Sequence, residues 1–219
     1  MVRKATATAR RPARWGRGQG RAAAAAAVAP TRARIVAAAR ELFWEKGYAA
    51  TGMAEILARA GANAGSFYHF FRGKDDVLLA VLDEYLLMLD AAVIEPAFAQ
   101  TADPLERVFA VLAGYRHVVT ATDFAYGCPL GRLAFELDPE DRPAHAKIAA
   151  NFAAWRARIA ACIKAAAPRL RRGVHSDEVA AFVLAVMEGG VIQARSEKSI
   201  APFDAAVKEL RRYFTLLKV

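Results

Sequence analysis

The chain has 219 residues and a formal net charge of +9, from 31 Lys and Arg against 22 Asp and Glu, a balance that points toward a polyanionic partner. Alanine, the strongest helix former, supplies 52 residues and β-branched runs bounded by turn residues are missing, which excludes a sheet protein and predicts an all-α fold. No window of about 18 residues is apolar and free of charge, so no membrane span is expected, and the two cysteines, Cys128 and Cys162, are too few for a disulfide framework and suit a reducing cytoplasm.

The charge is unevenly spread. Residues 1–30 carry +7 with no acid, residues 31–75 carry +3, and residues 76–219 carry −1. Residues 1–28 loosely mimic a signal peptide, because cations precede the run Ala22–Ala27, Val28 and Ala29. That apolar run is short and nearly all alanine, so a disordered basic Ala/Arg/Gly-rich tail is expected instead.

Thr31 reads as the N-cap of a first helix behind Pro30, with Ile35, Ala38, Ala39, Leu42 and Phe43 at helical spacing and Gly47 as its stop. A second helix is predicted over 53–60, ending at Gly61. Asn63 caps a very short third helix through Phe71, closed by Gly73. A fourth starts near Lys74 and carries Val77, Leu78, Val81, Leu82, Tyr85, Leu86 and Leu89 as far as Pro96. Pro104 opens a helix with Leu105, Val108, Phe109, Leu112, Tyr115 and Val119 on one face. Gly127 and Pro129 break the chain before a short helix around 130–137. Ile148, Phe152, Trp155, Ile159 and Ile163 mark a long helix over about 142–167. Two more are predicted over 177–196 and 202–217, making about nine helices and no strand. A boundary near residue 75 divides a domain at 29–75 from one at 76–219.

Residues 51–71 fit a helix-turn-helix, with the tight turn at Gly61-Ala62-Asn63. The second of its helices starts small, at Ala64-Gly65-Ser66, so its N-terminal end is free to approach another surface. Phe67 and Phe71, four apart, anchor it inward, and Phe70 is read as core with them. Tyr68 and His69 then face outward, where their polar tips meet phosphate oxygens.

This segment resembles the tetracycline-repressor (TetR) family of bacterial transcriptional regulators. The resemblance is carried by Thr31-Arg32-Ala33-Arg34-Ile35, Ala39-Arg40-Glu41-Leu42-Phe43, Lys46-Gly47-Tyr48-Ala49-Ala50-Thr51, Ile56, Ala60-Gly61, Gly65-Ser66-Phe67-Tyr68-His69-Phe70-Phe71 and Lys74-Asp75-Asp76-Val77-Leu78. It covers about residues 31–80 and is specific in order and spacing. It implies a three-helix N-terminal DNA-binding domain followed by a helical ligand-binding and dimerisation domain. It further implies that Thr51, Tyr68, His69 and Lys74 contact phosphate, that Arg32 is also DNA-binding, and that Asn63, Ala64, Gly65 and Ser66 lie at base edges. Ala64 departs from the longer or cyclic residue common in the family, and Gly52 from its usual Ser or Thr cap. Base selection is therefore expected to rest on Ser66, Asn63, thymine-methyl contacts at Ala64, and DNA shape.

Two later segments have a less specific family look: Gly127-Cys128-Pro129-Leu130-Gly131 with Leu133–Leu137, and Met187–Arg195. The resemblance implies a homodimer through the last two helices, with Val183, Met187, Gly190, Val191, Leu210 and Phe214 at the interface. It also implies an effector pocket among the middle helices, with Phe109, Leu112, Tyr115, Arg116, Phe124, Cys128, Phe152 and Trp155 as candidates. Taken alone, each of these also reads as core, and Arg116 as half of a surface ion pair. Cys128, in a Gly/Pro-broken loop, is a candidate oxidant or electrophile sensor.

The function expected is a cytoplasmic, ligand-responsive regulator, a repressor, bound to a palindromic double-stranded operator as a homodimer. The alternative is a basic nucleic-acid binder without a sensor, dominated by the Arg/Gly tail. Removing residues 1–28 separates the two, since only the alternative loses most of its binding. Catalysis has little support. His69, His117, His145 and His175 are dispersed, no zinc spacing is present, and Gly16-Arg17-Gly18-Gln19-Gly20 lacks dinucleotide-loop spacing. No cofactor, metal or membrane partner is expected.

Overall fold

The computed structural model describes residues 30–219, so the tail expected over 1–28 lies outside it. The described chain is helical throughout, apart from one isolated bridge between Leu170 and Lys218. Its helices are α1 (Thr31–Lys46), α2 (Met53–Ala60), α3 (Ala64–Phe70), α4 (Lys74–Leu89), α5 (Glu95–Ala99), α6 (Pro104–Ala121), α7 (Pro129–Glu136), α8 (Arg142–Ala165), α9 (Ser176–Glu197) and α10 (Ala201–Leu217). A π-helical turn, Asp90–Ile94, joins α4 to α5, so residues 74–99 form one continuous run and the described residues make nine helical rods.

Local chemistry sets most of the ends. Asn63 accepts the Ser66 N–H at 2.8 Å and starts α3. Asp103 accepts the N–H groups of Leu105 (2.8 Å) and Glu106 (3.2 Å) and starts α6 ahead of Pro104. Gly61 closes α2 in the left-handed conformation at φ 59°.

Three predicted ends move. Pro30 holds the N-cap position of α1, at φ −52° and ψ 143°, and Thr31 is already helical, so its hydroxyl caps nothing. Phe71, not Gly73, leaves α3 in an extended conformation, and Gly73 precedes α4 instead. Pro96 does not stop the fourth helix. A proline inside an α-helix collides with the carbonyl four residues back, and the widened π turn just before Pro96 carries the chain past it to Ala99.

Two apolar cores result. One gathers α1–α4 around Ile35, Leu42, Phe43, Ile56, Phe67, Val77, Leu78, Val81 and Leu82, and extends to Leu130, Leu133 and Leu137 of the α7 region and to Ala144 and Ile148 of α8. The other fills the space between α6, α8, α9 and α10 with Val108, Leu112, Tyr115, Trp155, Ile159, Val183, Met187, Phe203, Leu210 and Phe214. Leu86, predicted inward, lies at the surface, because that end of α4 runs past the first core. Helix α9 has the length and composition of a membrane span. Its inner face nevertheless carries eight buried residues, seven of them in the second core, as expected of the central helix of a folded body.

Segment 126–136 fastens the first core to the rest. The Trp44 indole N–H donates to the Gly127 carbonyl at 2.8 Å, and the Trp44 ring lies 4.8 Å from that of Tyr126. Glu136 of α7 accepts the backbone N–H of Tyr48 at 2.7 Å and pairs with Arg132. Gly47, at φ 92°, is required twice over: a Cβ there meets the Glu136 carboxylate and the Arg132 guanidinium.

Candidate nucleic-acid interface

Helix α3 is seven residues long and is held to the protein by aromatic rings. Phe67 is fully buried and Phe71 nearly so, their rings 5.6 Å apart. Burying each such ring is worth about 1.5–3 kcal/mol, enough to seat a helix too short to persist alone. Phe70, read as core, is 41% exposed: on an isolated helical turn only one stripe faces inward, and Phe67 occupies it. The outward surface consists of Asn63, Ala64, Gly65, Tyr68 and His69, with Ser66 half-buried beside them. Tyr68 is 67% exposed. Among the described residues its hydroxyl, the His69 ring and the Ser66 hydroxyl take no intramolecular hydrogen bond, so their capacity is available to an incoming molecule.

The cations around α3 divide into two groups. Arg40 pairs with Glu84 at 2.7 Å, Arg59 with Glu45 at 2.9 Å, and Lys46 with Glu55. Arg32, Arg34, Arg72 and Lys74 have no carboxylate partner among the described residues. Arg32 is exposed and sits 5.4 Å over the Phe71 ring. Arg72, exposed just beyond α3, belongs with this set and was missed in the sequence. The visible signal was a cation directly after the Phe70-Phe71 pair, but charge counting alone gave it no priority over Arg59.

Two of the expected contact residues have other work. Thr51 is 1% exposed, and its hydroxyl donates to the Gly47 carbonyl at 2.6 Å, which closes the turn between α1 and α2. Its side chain is therefore turned inward and unavailable. The Lys74 ammonium donates to the carbonyls of Tyr48 (3.0 Å) and Thr51 (3.1 Å) and lies 4.1 Å over the Tyr48 ring. It ties the start of α4 to the turn before α2. The Tyr48 hydroxyl donates to Asp75, and burial followed by that bond pushes its pKa well up, so it stays protonated and donating.

The effector candidates are divided between the two cores, although Cys128 of the first lies by Tyr115 of the second. Phe109, Leu112, Tyr115 and Trp155 lie in the second core with Phe124 packed on it, whereas Cys128 belongs to the first core and Phe152 packs against that one. Arg116 is exposed and bidentate with Asp204 at 2.7 and 2.9 Å, the surface ion pair that was its plainer reading. Cys128 is not in an open loop. It is buried as the N-cap of α7, and burial first, then the neighbouring Glu188, pushes its thiol pKa well up, the opposite of what a thiolate sensor needs. Among the described residues no group of three or more His, Cys, Asp and Glu is placed to hold a metal ion.

Most of the residues assigned to a dimer interface are buried within the chain. Val183, Met187, Val191, Leu210 and Phe214 are each no more than 2% exposed, inside the second core. Gly190 is needed within the chain, since a Cβ there comes 3.0 Å from the Phe203 ring of α10. The outer face of α9 and α10 carries a shallow groove lined by Phe182, Ala185, Val186, Gly189, Gln193, Ala206 and Glu209, which Gly190 and Leu210 of the assigned set also reach. Helix α9 is apolar on both sides, and periodicity alone chose the inner one.

Comparison with known proteins agrees with this geometry. The family described as "Bacterial regulatory proteins, tetR family" matches residues 35–81, and "Tetracyclin repressor-like, C-terminal domain" matches residues 104–210. The uncharacterised HTH-type transcriptional regulator Rv0196 of Mycobacterium tuberculosis is 32% identical, over 82% of this chain and 92% of its own. The HTH-type transcriptional repressor DhaR of a Mycobacterium species is 26% identical, over 80% and 87%. A solved TetR transcriptional regulator from Chloroflexus aurantiacus superposes with a TM-score of 0.74 at 27% identity, covering 86% of this chain and 96% of that one. The chain belongs to the TetR family of DNA-binding transcriptional regulators.

Proposed function

We propose that this regulator is a ligand-responsive repressor that binds a palindromic operator as a homodimer in the cytoplasm. What carries the reading is the outward face of α3, where Asn63, Ala64, Gly65 and Ser66 lead and Tyr68 and His69 follow, all held against the protein by Phe67 and Phe71. With α3 in the major groove, Ser66, Asn63 and the Ala64 methyl meet base edges, while Tyr68, His69, Arg32 and Arg72 meet phosphates. Lys74 and Thr51 shape the turn that presents α2, and act on DNA through that turn. The groove between α9 and α10 supports pairing of two copies, whose reading heads would fall about 34–36 Å apart, one turn of DNA.

A small molecule bound among the middle helices releases DNA only through its differential affinity for two arrangements of the heads. Two connections are available to it: α4, which belongs to both halves of the chain, and segment 126–136, which grips Trp44 and the turn at 47–49. The test is a footprint on the DNA immediately upstream of its own coding region, followed by selection from randomised half-sites. Ser66→Ala should change the preferred bases, and Tyr68→Phe should weaken all sites alike. Identical preference profiles for the two variants would overturn the assignment of roles.

A further inference from the structure

Of the six described side chains that hold a buried polar atom without a hydrogen-bond partner, three come from neighbouring helices, the Tyr115 hydroxyl on α6, the Trp155 indole N–H on α8 and Glu188 Oε1 on α9; Arg34, Asn151 and Arg195 are the others. The first three belong to one connected group. The Tyr115 and Trp155 rings meet edge to face at 5.1 Å, and each residue is 4% exposed. The Tyr115 hydroxyl and the Glu188 carboxyl both lie by the Cys128 thiol. Gly131 makes room for that carboxyl, since a Cβ there comes 2.8 Å from Glu188 Oε2. Burial raises the Glu188 pKa. A buried group left in this state costs stability, and three together at the junction of four helices ask for an occupant.

We propose that Tyr115, Trp155 and Glu188 form the polar end of an effector site, and that it takes a compact, uncharged molecule presenting an oxygen acceptor beside an N–H or O–H donor, as a primary amide or a lactam does. The proposal rests on the ligand-responsive reading above. Hydrogen-bonding capacity decides the chemistry. The tyrosine and indole offer two donors that need an oxygen, and Glu188 Oε1 offers an acceptor that needs a hydrogen. An anion answers the two donors but is opposed by Glu188. An organic cation answers Glu188 and leaves both donors empty. A neutral amide answers all three, with the rings of Tyr115 and Trp155 beside it. The group also abuts the first turn of α7, whose last turn carries Glu136 to the backbone of Tyr48. Occupancy is thereby connected to the reading head.

The test uses the full-length chain and the indole resonances of its three tryptophans, Trp15, Trp44 and Trp155, in proton–nitrogen spectra, with Trp155→Phe identifying the third. Benzamide and caprolactam are the probes, with benzoate and benzylamine as the charged counterparts. The neutral probes should move the Trp155 resonance saturably, at least tenfold more tightly than either charged one. Tyr115→Phe, which removes one oxygen and keeps the ring, should weaken them about tenfold, as should Glu188→Leu. A Trp155 resonance that ignores both neutral probes would mean that ordered water alone fills the site, and overturns the proposal. Tighter binding of benzoate or benzylamine, or binding unchanged in Tyr115→Phe, overturns it equally. Operator binding is measured on the same samples. If DNA is bound while the resonance stays still, this proposal falls and the regulator stands. If unliganded protein binds no DNA, the repressor reading falls and the site is judged by the titration alone.

Discussion

The reading head and the helical body leave their unanswered polar groups in opposite places. Around the head Arg40 of α1 pairs with Glu84 of α4 and Arg59 of α2 with Glu45 of α1, while α3 sends Tyr68, His69 and Ser66 outward with no side-chain hydrogen bond among the described residues. On the body the surface is answered: Arg116 pairs with Asp204, Arg169 with Asp103 and Arg211 with Glu106. There unanswered groups lie inside, Tyr115, Trp155 and Glu188 together, with Asn151 and Arg195 elsewhere on α8 and α9. Open capacity on an outer face suits an extended polyanion, and open capacity inside a core suits a small molecule. The two halves of the chain thus follow one principle toward two different partners.

The largest effect that can break this comparison is expected at Phe67. If α3 is held only by its ring anchors, Phe67→Ala removes about 3–5 kcal/mol from the stability of the reading head, seen as an early transition in urea denaturation. A loss below about 1 kcal/mol would mean that α3 is fixed by other contacts. Next in size is Asn63→Ala, which deletes the bond to the Ser66 N–H and should cost about 1 kcal/mol. Asn63→Asp, which keeps a capping oxygen, should recover most of that stability while still disturbing DNA selection. Recovery of both, or of neither, would show that the cap and the base-edge role are not separable.

The smallest effects are slopes of stability against pH, and the two halves of the comparison give them opposite signs. Glu188 has a folded-state pKa raised above its ordinary 4.5 by burial, so the folded protein holds that proton more tightly than the unfolded chain. Its contribution is complete below pH 4.5 and declines as pH climbs through the raised value. Asp103, at the surface, is held below its ordinary 3.8, chiefly by its bonds to Arg169. Its contribution is complete above pH 3.8 and is lost as pH falls further, and solvent screening keeps it small for so exposed a pair. Chemical denaturation across pH should show the first slope vanish in Glu188→Gln and the second shrink in Asp103→Asn. The same slopes in the variants as in the parent would remove both assignments.

How much of this was legible in the sequence depended on the range of the forces involved. Asn63, Gly61 and the Phe67–Phe71 pair act within four residues of themselves, and the expected turn, cap and anchor match the described structure. The effect of Pro96 depended on a π turn that no spacing announces. Thr51 and Lys74 were assigned from a resemblance that gives residue types but not the hydrogen bonds to the Gly47, Tyr48 and Thr51 carbonyls. The stripe on α9 was misjudged because both sides of that helix are apolar. Only the partner helix, through Phe203 against Gly190, decides which side turns inward. Glu188 stood in plain view within Met187–Arg195, but nothing local distinguishes a buried carboxyl from a solvated one.

The most direct measurement is a pair of single-oxygen deletions, Tyr68→Phe outside and Tyr115→Phe inside. Each is assayed for affinity to the DNA upstream of the coding region and for thermal stability. The outer hydroxyl should matter to DNA alone: Tyr68→Phe should lose about 1 kcal/mol of binding, roughly fivefold, at an unchanged melting temperature. The inner hydroxyl should leave the affinity of the unliganded protein for DNA intact, with a melting temperature equal to the parent's or higher, because an unpartnered buried group has been removed. Equal losses of DNA affinity in both variants, or a lower melting temperature in Tyr115→Phe, would contradict the division between an outer face for nucleic acid and an inner one for a ligand.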